Sequence, residues 1–180
     1  MPESTQPAPA LRELEGPPLS GGATGEELPV AQWLLSAATD VRQAEWEWAQ
    51  DGLTFLRCGP SFTAIRLPGD LVRAAVGSHD PADVDPYLSE VLNGGPVIGA
   101  HGLKCYYALV PPGAGLHWRN RDAVCLAWGT WLGVPPVSRT TCNAVEGYWA
   151  VPMSEPGELC DVAAVNALVE RCREWLGEDS

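Results

Sequence analysis

Apolar residues recur along this chain at two spacings, three-to-four and two, and the change between them divides it. The last stretch is the clearest: Val162, Val165, Val169, Cys172 and Leu176 step by three and four, while Glu170, Arg171 and Glu174 fall opposite. One apolar stripe of that kind predicts an amphipathic helix, with Asp161 placed to cap it. At the other end, Pro29-Val-Ala-Gln-Trp33-Leu-Leu has proline in a first helical turn followed by helix spacing. Thr39 or Asp40 then caps a second helix to about Gln50, which Asp51-Gly52 ends. Trp46 and Trp48 lie two apart and cannot share one narrow stripe, so one of them is expected to pack against a neighbouring element. Next, LTFLRC and SFTAIRLP are β-favouring runs joined by Gly59-Pro60, which reads as a hairpin. Pro68-Gly-Asp70 opens a short helix, and Asp80-Pro81 opens a longer one closed by Asn93-Gly94. Strand runs follow: PVIG, LKCYYALVP, AVCLAW, TWLGVP and GYWAVP, with CLAWGTWLGVPP reading as strand, tight turn at Gly129-Thr130, and strand.

Helices, then strands, then a helix predict an α+β fold: a largely antiparallel sheet with helices packed mainly on one face. Residues 1–28 are rich in Pro, Gly, Glu and Ser, with too few apolar residues to offset ordering entropy, and read as a flexible acidic tail. Residues 29–180 then form a single domain, a size that suits one core. No apolar run approaches the roughly 20 residues that span a bilayer, and the start MPESTQPAP has no basic, apolar signal, so the expected location is cytoplasmic with no membrane partner.

The formal charge of −12 repels a phosphate backbone at long range, which argues against tight nonspecific DNA binding. The six cysteines form no C-x-x-C pair, and between apolar neighbours they read as small buried hydrophobes with reduced thiols. HDPADVD gathers His79, Asp80, Asp83 and Asp85; capping of a helix explains it better than a metal site, which needs ligands from elsewhere as well. NGGPVIGAHG lacks phosphate-loop and dinucleotide spacing and reads as turn chemistry, with His101 a solvated loop residue. LHWRNRD joins His117, Trp118, Arg119 and Arg121, the one cationic and aromatic cluster in an acidic chain. Either it is a surface loop with Trp118 folded back on the sheet, or it stacks a base and holds a phosphate. No G-x-S-x-G motif occurs, and no particular Cys–His pair stands out as a nucleophile and base.

The stretch from Lys104 to Pro136 resembles the later part of the bifunctional DNA primase/polymerase N-terminal domain. In that family a histidine-bearing strand precedes an acid-bearing strand and a Gly-rich hairpin ending in Pro-Pro. Gly102 to Tyr107 stands at the first, Val124 to Gly129 at the second, and Trp131 to Pro136 at the third. The resemblance extends over residues 51–152 and implies a primase-polymerase-like fold of the small, degenerate, stand-alone kind found in high-GC bacteria. Active members are similar to other primase-polymerases in holding two divalent metals through an Asp-x-Asp pair, a histidine and a further Asp. Here Ile65-Arg66-Leu67 replaces the acid pair, Cys105 the histidine and Cys125 the last acid. That residue set cannot rebuild a magnesium site.

The resulting expectation is a non-catalytic nucleotide- or nucleic-acid-binding, regulatory module connected with DNA replication. It has no catalytic residue, metal ligand or cofactor, and its binding residues are Arg66, Lys104, His117, Trp118, Arg119 and Arg121. An arginine in place of acids turns a metal site into a phosphate site. Two other readings stand beside it: a protein-interaction module using the acidic tail and the tryptophan-rich surface, and an active metal-dependent primase/polymerase using the 79–85 acids.

Overall fold

The computed structural model describes residues 24–143 and 146–178, so most of the segment read as an acidic tail lies outside the described residues. The chain runs α1 (Leu28–Leu35), α2 (Val41–Gln50), β1 (Thr54–Arg57), β2 (Thr63–Pro68), α3 (Gly69–Val76), α4 (Pro81–Val91), β3 (Val97–Ala100), β4 (Cys105–Val110), α5 (Ala114–His117), β5 (Val124–Cys125), β6 (Trp131–Val134), β7 (Tyr148–Val151) and α6 (Val162–Glu178). The fold is α+β, with a five-stranded antiparallel sheet ordered β5-β2-β4-β3-β7 and a separate antiparallel pair, β1-β6. Among the described residues no helix is long and apolar enough to cross a membrane.

Local chemistry sets the helix starts. Asp40 accepts the Gln43 N–H at 3.1 Å and Asp80 accepts the Ala82 N–H at 2.9 Å, each satisfying a donor that the first turn leaves free. Of the tryptophan pair in α2, Trp48 is buried and donates its indole N–H to the Val134 carbonyl at 2.9 Å, while Trp46 stays exposed.

Helices lie on both faces of the sheet rather than mainly on one. Ile65, Leu67, Tyr106, Ala108 and Val110 meet α3, α4 and α6. Ala64, Ile98, Leu109 and Trp149 meet α1, α2 and the β1-β6 pair. This follows from the strands themselves: β4 is buried at nearly every position, so its alternation supplies an apolar residue to each face.

Strand pairing departs further from the sequence expectation. β1 and β2 do not form a hairpin, because β1 pairs with β6 while β2 pairs with β4 and β5. Nor do β5 and β6 pair with each other across Gly129-Thr130. Instead β1-β2 runs antiparallel to β5-β6 as one bent ribbon. At the bend Cys58 N–H reaches Thr130 C=O at 2.8 Å, Gly129 N–H reaches Cys58 C=O at 2.7 Å, and Leu126 N–H reaches Ala64 C=O at 2.8 Å. Gly59 N–H closes on Phe62 C=O at 2.8 Å, so this turn redirects the chain into a second sheet instead of reversing it.

Candidate functional site

The bent ribbon leaves a cleft of about 400 Å³ between the β1-β6 pair and the five-stranded sheet. Its chemistry comes from Phe55, Arg66, His101, Tyr107, Trp131 and Arg139, with Asp51 and Glu146 also on the lining. Arg66 and Tyr107 are directly paired across β2 and β4, so both side chains leave the same sheet face. Burial pushes the Tyr107 hydroxyl up to about 12, the neighbouring Cys105 thiol adds to the rise and Arg66 opposes it; the group remains a neutral O–H donor at neutral pH. Arg139 donates to the Gly52 carbonyl at 2.7 Å and lies 3.4 Å from a Glu146 carboxylate oxygen. Arg66 is exposed and has no hydrogen-bond or ion-pair partner among the described residues, which leaves its guanidinium available to an anion.

His101 stands at the rim on an unusual turn. His101, Gly102 and Leu103 all have positive φ, at 53°, 63° and 65°. Arg73 Nη1 donates to the Leu103 carbonyl, and Gly69 N–H donates to the Lys104 carbonyl at 2.8 Å. Gly69 is required there, since a Cβ at that position would lie 2.0 Å from the Leu103 carbonyl oxygen.

The sequence-predicted residues do not gather in one place. Arg66 lines the cleft, whereas Lys104, His117, Trp118, Arg119 and Arg121 do not. Trp118 folds back against the α3/α4/α6 side of the core and donates its indole N–H to Ala123 C=O at 2.9 Å, and Asn120 of the same loop reaches Asn166 of α6 at 3.2 Å. The positions singled out by the family resemblance are also divided. Pro68 pairs with Cys105, which puts that thiol on the face of Arg66; Cys125 pairs with Ile65 and packs on the opposite face. Phe55, Trp131 and Arg139 were not legible as site residues, because segments far apart in sequence bring them together. The only signal they carry is aromatic and cationic character within strand and turn runs.

The 79–85 acids disperse into separate tasks. Asp80 caps α4, Asp83 accepts the Ser78 hydroxyl at 2.6 Å, and Asp85 accepts the Tyr148 hydroxyl at 2.8 Å. Burial pushes the Asp85 carboxyl up to about 6, and the Tyr148 hydrogen bond opposes that rise. Tyr106, pushed up to about 12 by burial and then by the Asp85 charge against the pull of Arg73, shares this buried region with Tyr148, Arg73 and the half-buried Cys142. The Tyr106 hydroxyl and Arg73 Nε complete no hydrogen bond there among the described residues. No group of three or more His, Cys, Asp or Glu among the described residues converges as a metal site, and all six cysteines are unpaired.

The chain matches no protein-family model, no curated protein and no solved structure.

Proposed function

We propose that the chain is a non-catalytic binding module that takes a nucleotide, or the end of a single strand, in the cleft between the β1-β6 pair and the sheet. The observation that carries this reading is the unpaired Arg66 guanidinium beside the Tyr107 hydroxyl, in a cleft of about 400 Å³ that Phe55 and Trp131 also line. A cation and an O–H donor suit a phosphate, aromatic walls suit a base, and the volume suits a small ligand. The resemblance to primase-polymerase domains supports a nucleotide as the anion. Arg66, Cys105 and Cys125 stand where the resemblance would place metal ligands, which counts against nucleotidyl transfer; that Cys125 lies on the opposite sheet face from the other two counts against the resemblance.

Calorimetric titration with nucleoside triphosphates and short single strands tests the reading. Arg66→Ala weakens binding about tenfold to a hundredfold, the loss of a charge-assisted hydrogen bond at about 1.5–3 kcal/mol. No heat at millimolar ligand, or full affinity in Arg66→Ala, sinks it. Primer extension with magnesium or manganese is expected to show no product; product that disappears in Asp83→Ala or Asp85→Ala establishes an enzyme instead.

A further inference from the structure

A second surface lies along the sheet's outer edge, around strand β5. Leu116, Trp128 and Val124 are 74%, 67% and 57% exposed, large apolar side chains left in water around one short strand. Leu116 and Trp128 line a groove of about 480 Å³ together with Cys125, Leu126, Pro112 and Gly59. Strand β5 is the terminal strand of the five-stranded sheet. Leu126 N–H bonds inward to Ala64, so by the alternation of an antiparallel ladder the N–H and C=O of Cys125 turn toward the open edge. On one side the indole of Trp118 already occupies the Ala123 carbonyl, which limits the free edge to the stretch beside the groove.

The charge around this edge is opposite to that of the molecule. The chain carries a formal −12, yet Arg119 and Arg121 fall within the loop from α5 into β5, with His117 at the end of α5 before them and Asp122 the acid beside them. All three side chains are exposed, and those of His117 and Arg121 have no hydrogen-bond or ion-pair partner among the described residues. We infer that this edge is a docking site for an extended acidic peptide segment of another protein. Its large apolar side chain enters the groove between Leu116 and Trp128, its backbone pairs with Cys125, and its carboxylates meet His117, Arg119 and Arg121. Backbone pairing at an open edge supplies affinity, the groove selects the apolar side chain, and the cations reject basic partners. This inference needs no ligand in the cleft, although the two sites adjoin: Leu126 lines both, and Val124 pairs with Arg66 across β5 and β2.

The test is fluorescence anisotropy on the full chain with a labelled short peptide of alternating glutamate and leucine and its lysine-for-glutamate counterpart. The acidic peptide saturates and the lysine peptide does not. Leu116→Ser and Trp128→Ala each weaken binding about tenfold or more, as expected for apolar anchors at an interface centre. Arg119→Glu with Arg121→Glu removes acidic binding and admits the lysine peptide, while Phe55→Ala, on the cleft lining and not on the groove, changes nothing. These are surface substitutions, and unchanged circular dichroism and thermal midpoints confirm that each variant is folded. The inference is overturned by absence of saturation, by equal binding of the two peptides, or by full affinity in both Leu116→Ser and Trp128→Ala. Displacement of the peptide by a short single strand, binding that appears only once residues 1–23 are removed, or a doubled sedimentation mass lost in Leu116→Ser assigns the groove to another occupant and equally overturns it.

Discussion

Replacing Asp85 by Asn is expected to stabilise the protein at neutral pH and to leave it unchanged in acid. Asp85 accepts the Tyr148 hydroxyl at 2.8 Å in a region shared with Tyr106, Arg73 and Cys142. Burial pushes its carboxyl from 3.8 to about 6, so the folded state holds the proton more tightly than the unfolded chain. The stability gained from that proton is fully present below about pH 4 and is lost as the pH climbs through about 6. At about 1.4 kcal/mol per pH unit the interval corresponds to about 3 kcal/mol, which partial exposure of the carboxyl screens to on the order of 1–2 kcal/mol. Asn keeps the acceptor for Tyr148 and cannot ionise. Urea midpoints for both chains across that pH range isolate Asp85 from the general relief of charge repulsion on acidification, which both share. The two curves meet in acid, and Asp85→Asn lies higher by on the order of 1–2 kcal/mol near neutrality. Parallel curves, or a wild type that is more stable at neutral pH, refute the reasoning: the hydrogen bond to the charged carboxylate would then outweigh its desolvation.

Gly99→Ala is expected to cost about 1–3 kcal/mol by overpacking, since the new Cβ would lie 2.5 Å from the buried Tyr148 ring; denaturant unfolding measures it, and a neutral result overturns the account. His101→Gly relieves about 1–2 kcal/mol of left-handed backbone strain, less the entropy glycine loses on folding, so the thermal midpoint rises slightly. Asp80→Ala removes the cap on α4 and lowers stability by about 1 kcal/mol in the same assay.

The helices were readable because their signals are local. Asp40 and Asp80 sit beside the N–H groups they satisfy, and the last helix announces its buried side through Val165, Val169 and Cys172. Strand partners were not readable. Gly59-Pro60 signals a turn, but whether the chain reverses or changes sheets depends on β6, some 70 residues on, where Arg57 pairs with Trp131. The site divides the same way. Arg66 was singled out through the family resemblance, as an arginine where that family has acids, whereas Arg139 is placed by bonds to distant segments, its side chain to Gly52 C=O at 2.7 Å and its C=O from Trp149 N–H at 2.8 Å. The 117–121 loop looked like a partner for Arg66 by composition, and the indole of Trp118 fixes it on the other side of the sheet.

The bent ribbon has a mechanical consequence. The β1-β6 pair beside the cleft and the β2-β5 pair of the sheet are successive lengths of the same antiparallel ribbon, cross-bonded at the bend. Hinged enzymes grip a ligand by swinging one body onto another about a few loop residues. Here the bonds at Cys58, Gly129 and Thr130 tie the β1-β6 pair to the sheet, so a ligand of the proposed kind would meet walls joined by backbone hydrogen bonds rather than by a loop alone.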